Sequence, residues 1–290
     1  MSALRVVFCG TPAFALPSLD MLVERGHQVL VVLTRPDRPR GRGLARSPTP
    51  VKERAAALGL PVWQPERMSD PALLARLREL APDALVLVAF GALIPPPLLE
   101  LPRLGCINAH PSLLPAYRGA APIQRALLDG LQETGVSTMY MAEGYDTGDI
   151  ILQRRVPISS DDDAGTLHDR LAQIAAQLLG ETLERLAAGT APRIPQDHRA
   201  ATYAPKIEPH ECRIDWSRPA ARIVDQIRAL SPSPGAYTHH RNRRLKLWRA
   251  RVDPSAAEPS GPPGTVLEAG PDGIAVLTGE GSLRILSLQP

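Results

Sequence analysis

Ala84-Leu85-Val86-Leu87-Val88-Ala89-Phe90 is an apolar run between Pro82-Asp83 and Gly91. A strand that is apolar on both pleats must be covered on both faces, which is the condition of a parallel sheet between helix layers. The flanking segments supply such layers. Leu4 to Phe8 is apolar except for Arg5 and runs into the turn Gly10-Thr11-Pro12, and His27 to Leu33 is a second strand. Between them, residues 13–25 carry Leu16, Leu19, Leu22 and Val23 at helical spacing, closed by Gly26. Helices are predicted at 51–58, closed by Gly59, and at 71–80, capped by Ser69 or Asp70. This alternation predicts an α/β fold built on a doubly wound, mainly parallel sheet.

A long helix is predicted over about 165–188, with Asp161-Asp162-Asp163 at its positive dipole end. The Pro-rich stretch from Gly189 to Pro209 is weakly periodic and reads as a linker. Beyond it, 219–230 is helical, with Ile223, Val224, Ile227 and Leu230 as its buried stripe. Short strands at 244–252, 264–268, 273–278 and 282–287 between Gly/Pro turns predict a small, partly open barrel. The expected division is 1–189, a linker over 190–209, and 210–290.

Function concentrates in two places. Asn108 and His110 are two residues apart, so on an extended segment both side chains leave one face. Pro111 and Pro115 forbid a continuing helix, which predicts an exposed loop at a strand end. In Tyr145-Asp146-Thr147-Gly148-Asp149, Asp146 arrives from a separate turn, where it can orient the imidazole and support its charged form. An amide, an imidazole and a carboxylate so placed suit attack of a neutral nucleophile on a carbonyl carbon. A buried, hydrogen-bonded histidine with no chemistry is the plainer alternative, but polar residues gathered in loops between apolar strands favour a site.

Other chemistries lack their residues. Cys9, Cys106 and Cys212 are scattered singly, and His210-Glu211-Cys212 has no partner pair, so no metal site is expected. Ser112 lies between Pro111 and Leu113, outside any Gly-x-Ser-x-Gly elbow. Gly10 is followed by Thr-Pro and not by the dinucleotide glycines, so no nicotinamide cofactor is expected. Three single cysteines, no signal-peptide plan and no membrane-length apolar run point to the cytoplasm. Net charge is only +3, nearly all of the positive charge is arginine, and that bias follows the Arg/Ala/Pro/Leu enrichment of the whole chain.

These motifs together resemble the methionyl-tRNA formyltransferase family of 10-formyltetrahydrofolate-dependent enzymes. The resemblance is carried by Phe8-Cys9-Gly10-Thr11-Pro12, by residues 35–43, by Asn108 to Pro115, by Arg118 to Gln124, by Asp146-Thr147-Gly148-Asp149 and by Arg213 to Ser217. It implies a Rossmann-like formyltransferase domain followed by an OB-like barrel that binds tRNA. It implies that Asn108 and His110 donate to the formyl oxygen while Asp146 holds His110 and relays the amine proton. By the same resemblance, Ser112, Leu113, Leu114 and Pro115 contact folate, with Phe90, Gly91 and residues 141–145 lining that pocket. The basic segment with Arg38, Arg40, Arg42 and Arg46 would enter the acceptor end of the tRNA. The donor is a co-substrate and not a tightly bound cofactor, the acceptor is initiator Met-tRNA, and a monomer is expected. Related acceptors, a UDP-amino-sugar or a purine precursor, and hydrolysis of the donor share the catalytic trio; a non-catalytic tRNA- or folate-binding module would not need it. Basic residues 241–251 around Trp248 read either as a single-strand surface or as strand flanking a core tryptophan.

Overall fold

The structure, a computed structural model, describes residues 3–40, 45–254 and 261–290; the side chains of residues 39, 40, 45 and 46 are not described. The chain divides into two compact units, one of Met1–Arg118, Thr134–Val156 and Asp169–Tyr203, the other of Gly119–Glu133, Pro157–His168 and Ala204–Pro290.

The first unit is built on a seven-stranded sheet. Its order is β10 (Ile150–Pro157), β9 (Glu133–Tyr140), β7 (Cys106–His110), β6 (Ala84–Val88), β1 (Arg5–Gly10), β2 (Gln28–Leu33) and β5 (Val62–Trp63). The pairs from β7 to β5 are parallel, and β9 runs antiparallel to β7. All five residues of β6 are buried, as its composition predicts. Val7, Cys9, Val31, Leu33, Leu85 and Leu87 form one core with Leu73, Leu74 and Leu77 of α3 (Pro71–Leu80). On the opposite pleat Val6, Phe8, Val32 and Val86 are equally inaccessible. Burying each such side chain contributes about 1.5–3 kcal/mol, so the sheet is the main store of stability in this unit.

Helix ends follow local chemistry. Asp70 Oδ1 accepts from Ala72 N at 2.9 Å ahead of Pro71, and Thr49 Oγ1 accepts from Lys52 N at 3.1 Å at the start of α2 (Pro50–Ala57). Leu16–Glu24 forms α1 and Pro96–Leu99 the short α4. Strands β9 and β10 carry no legible pattern, for a physical reason. Residues 134–140 are all buried, and their polar members are satisfied internally. Thr138 Oγ1 shares a 2.7 Å hydrogen bond with Thr182 Oγ1 of α6 (Ala164–Ala187), and Ser137 Oγ donates to Ser112 O at 2.7 Å.

The second unit holds a five-stranded antiparallel sheet. Its order is β12 (Ala236–His240), β13 (Arg243–Asp253), β16 (Ser282–Gln289), β15 (Gly273–Leu277) and β14 (Val266–Gly270). Ile223, Ile227 and Leu230 of α7 (Ala220–Leu230) pack with Leu247, Val276, Leu283 and Ile285. Helix α5 (Pro122–Leu128) belongs to this unit, and Arg125 forms a forked pair with Glu211 at 2.6 and 2.9 Å. His210-Glu211-Cys212 is thus part of a capped 3-10 turn. Asp215 Oδ1 accepts from the backbone and hydroxyl of Ser217, and Trp216 Nε1 donates to Thr238 Oγ1 at 3.0 Å, so the 213–217 motif is architectural. Trp248 is half-buried outside the core that contains Leu247, against Gly235, with Lys246 Nζ 5.2 Å from its ring centroid. Two-residue strands β8 (Arg118–Gly119) and β11 (Tyr203–Ala204) pair with each other.

The three thiols are enclosed. Cys9, Cys106 and Cys212 are 0%, 3% and 4% exposed. Burial pushes the Cys9 and Cys212 thiols up and the Cys106 thiol up to about 12. An aromatic disulfide reagent at pH 8 is therefore expected to titrate none of them rapidly in the native protein and all three after denaturation; fast native labelling of Cys106 would contradict this packing.

Candidate active site

Ligand-binding loops in open α/β sheets lie at the carboxyl ends of the parallel strands. Here those are the loops after Gly10, Val88 and His110, and Thr11 Oγ1 donates to Phe90 O at 3.2 Å to tie the first two together. Asn108 and His110 lie in strand β7 itself, opposite Met139 and Ser137 of β9. Their two-residue spacing therefore puts both on one pleat. The expected exposed loop begins only at Pro111, and His110 is 5% exposed.

His110 has one nitrogen committed. Its Nε2 lies 2.9 Å from Tyr117 O, and a carbonyl only accepts, so Nε2 carries the hydrogen. Tyr117 adopts φ +58°, the left-handed region that bulky residues avoid, and its N–H donates to Thr202 Oγ1 at 2.9 Å. The remaining nitrogen, Nδ1, faces Asp146 Oδ2 at 3.7 Å. That separation exceeds a hydrogen bond and leaves the pair to tighten when a reacting group enters. The trio's histidine and carboxylate are thus brought together as expected.

Asp146 is also left-handed, with φ +53°. Its turn is tightly constrained. A Cβ on Gly148 would stand 1.8 Å from Tyr140 O, and Tyr140 N donates to Asp149 O at 2.9 Å. Gln196 Nε2 donates to Asp146 O at 2.9 Å and to Gly148 O at 2.7 Å. Its Oε1 in turn accepts from Arg118 Nε at 3.1 Å and Nη2 at 2.6 Å. Gln196 does not stand out in the sequence, since it lies in an aperiodic Pro-rich stretch, and Arg118 enters there only as the first residue of the 118–124 motif, with no role of its own.

The expected folate residues divide. Ser112 and Leu114 are buried; Ser112 Oγ donates to Ala116 O at 2.6 Å, and Leu114 packs with Met139 and Ile150. Phe90 joins the core with Leu87 and Leu98. Leu113 and Pro115 are half-buried and Gly91 is exposed with φ +72°. A cleft of 410 Å³ in the same unit is lined by Met68, Ser69, Leu93, Ile94, Pro95, Pro96 and Glu143. Leu93 is 52% exposed there. The signal for this apolar wall is Leu93-Ile94-Pro95-Pro96-Pro97 directly after the central strand.

The basic segment forms a hairpin, β3 (Arg38–Arg40) paired antiparallel with β4 (Ala45–Ser47). Arg38 is exposed, Arg40 and Arg46 are placed by backbone alone, and Arg42 lies outside the described residues. Two of the positive charges are engaged: Lys52 Nζ with Asp37 at 2.5 Å and Arg54 Nε with Asp20 at 2.7 Å. Gln64 Nε2 also donates to Asp37, at 2.7 Å, which fixes the base of the hairpin. Among the described residues no group of three or more His, Cys, Asp or Glu side chains converges as a metal ion requires.

The formyl transferase family profile matches residues 4–183, and the profile of the formyl transferase C-terminal domain matches residues 206–290. The methionyl-tRNA formyltransferase of Moorella thermoacetica is 52% identical over 288 residues, 99% of this chain and 92% of the relative. That of Symbiobacterium thermophilum is also 52% identical over 288 residues, 99% of this chain and 88% of the relative. Among solved structures, the N-formyltransferase of Helicobacter canadensis in complex with folinic acid and dTDP-3-aminofucose superposes with a TM-score of 0.70 at 17% identity, covering 98% of this chain and 99% of that one. At that identity the likeness is one of fold.

Proposed function

The chain belongs to the methionyl-tRNA formyltransferase family, and we propose that Asn108, His110 and Asp146 carry its reaction. That reaction moves the formyl group of 10-formyltetrahydrofolate, a co-substrate, to the free amino group of methionine on initiator Met-tRNA. The amine nitrogen attacks the formyl carbon, the carbonyl oxygen takes the electron pair, and the carbon–N10 bond then breaks. The amine loses a proton and N10 gains one, giving formyl-Met-tRNA and tetrahydrofolate.

The observation that carries the assignment is the two-sided holding of His110, with Nε2 on Tyr117 O and Nδ1 toward Asp146 Oδ2 at 3.7 Å. With Nε2 occupied, Nδ1 is the ring nitrogen left to meet the reacting group, beside the Asn108 amide, a donor for the oxyanion on the same pleat. Donors held in place before charge develops stabilise it most effectively. Asp146 orients the ring and relays the amine proton toward N10. The 410 Å³ cleft, with its apolar wall at Leu93–Pro96, is the proposed seat of the folate ring system, joined by the backbone at Gly91 and the Leu113–Pro115 segment. His110→Ala is expected to abolish transfer while leaving Met-tRNA affinity intact; unchanged transfer would remove His110 from the site.

The hairpin at 38–47 is the proposed contact to the acceptor end of the tRNA, through Arg38, Arg40, Arg42 and Arg46. Arg42→Ala is expected to weaken tRNA use far more than folate use, with residual activity that falls steeply as salt rises. Equal loss toward both substrates would contradict the assignment. Residues 1–189, 190–209 and 210–290 are proposed as catalytic domain, linker and tRNA-binding domain. Action as a monomer in the cytoplasm belongs to the same reading. No helix among the described residues is long and apolar enough to cross a membrane.

A further inference from the structure

The buried guanidinium of Arg118 is the feature the reaction scheme leaves unexplained. Enclosing a charge is costly unless its hydrogen bonds are met, and this one is 2% exposed. It spends two donors, from Nε and Nη2, on one acceptor, Gln196 Oε1, and Nη2 also reaches His198 Nδ1 at 3.2 Å. Arginine has no acceptor, so the amide oxygen of Gln196 must face it. The amide nitrogen must then face the other way. There it meets two groups that only accept, Asp146 O at 2.9 Å and Gly148 O at 2.7 Å. The orientation of this amide is therefore set at both ends, and it clamps a turn whose Asp146 sits in the left-handed region at φ +53°.

Arg118 also directly follows Tyr117, whose carbonyl holds His110 Nε2. One end of the Arg118–Gln196 pair is thus covalently joined to the anchor of His110, and the other grips the backbone of Asp146. We infer that Arg118 and Gln196 are positioning residues that set the separation of His110 and Asp146. Neither touches the reacting atoms; they act through Tyr117 and the 146–148 turn. The inference rests on the proposed role of Asp146.

Gln196→Glu separates this role from a structural one. The carboxylate keeps the size and pairs with Arg118, but it has no hydrogen for the two carbonyls and places negative charge against them. The expected result is a cooperative thermal transition lowered by only a few degrees through the lost hydrogen bonding, KM values for 10-formyltetrahydrofolate and Met-tRNA within about 2-fold, and kcat lowered about 10–100-fold, the size of effect an ångström of misplacement produces. Arg118→Met, which removes the buried charge and with it the group that fixes the Gln196 amide, is expected to lower kcat in the same sense if the glutamate variant does not fold. In an Asp146→Asn background either substitution should cost less than about 3-fold, because residues acting through one group are not additive. Wild-type kcat in both the Gln196→Glu and Arg118→Met variants, or a full additional loss in the Asp146→Asn background, would overturn the inference. A fully active Asp146→Asn enzyme would instead overturn the role of Asp146 itself, so the two readings fail by different results.

Discussion

Asp146→Asn is expected to lower kcat by about 10²–10⁴-fold, the range seen when the partner of a catalytic imidazole is replaced by an amide of the same shape. The cause is the tautomer. Tyr117 O fixes the hydrogen on His110 Nε2, so the neutral ring presents a bare Nδ1 toward residue 146. A carboxylate there can accept a proton passed through Nδ1. An asparagine cannot accept that proton, and by donating its own N–H to Nδ1 it would block the nitrogen that faces the reacting group. Steady-state kinetics with both substrates should show the loss in kcat and little change in either KM. Activity within a few-fold of wild type would mean that the carboxylate serves only the fold.

Gly148→Ala is expected to be as damaging to activity and also to stability. The added methyl would lie 1.8 Å from Tyr140 O and 3.4 Å from Ala142 N, both backbone atoms that no rotamer change can clear. The turn must move, and Asp146 moves with it. Overpacking of this kind costs about 1–3 kcal/mol, which for a chain of this size corresponds to about 2–4 °C of thermal midpoint per kcal/mol. Gly144→Ala is the internal control. Its methyl meets the Thr147 side chain at 2.6 Å, and a side chain can rotate away. Thermal melts and kcat should therefore rank wild type, Gly144→Ala and Gly148→Ala in that order. A Gly148→Ala enzyme with wild-type kcat would show that the turn does not hold the reacting geometry.

What the residues reveal unaided depends on how local the cause is. The apolar run at 84–90, of which 84–88 is strand, the cap offered by Ser69 or Asp70 and taken by Asp70, and the stripe of Ile223, Val224, Ile227 and Leu230, in which Val224 is only partly buried, are set by neighbours in sequence and are legible there. The pleat shared by Asn108 and His110 follows from the two-residue period alone. Strand β9 escapes notice because Ser137 and Thr138 find their partners 25 and 44 residues away, at Ser112 and Thr182. Gln196 escapes for the same reason: its position means nothing until Arg118 and the 146–148 turn are brought to it. Of the residues expected to touch folate, Ser112, Leu114 and Phe90 bury their side chains, which a loop motif cannot reveal. The basic count over 35–54 likewise overstates the free charge, since Lys52 and Arg54 are held by acids remote in sequence.

The most direct test follows labelled formyl from 10-formyltetrahydrofolate, offered in parallel to initiator Met-tRNA, charged elongator tRNA and a UDP-amino-sugar. The wild-type protein is expected to place the label on initiator Met-tRNA, and the His110→Ala protein to place it nowhere. Label recovered only on the sugar or only as free formate, or transferred at the wild-type rate without His110, would contradict the account.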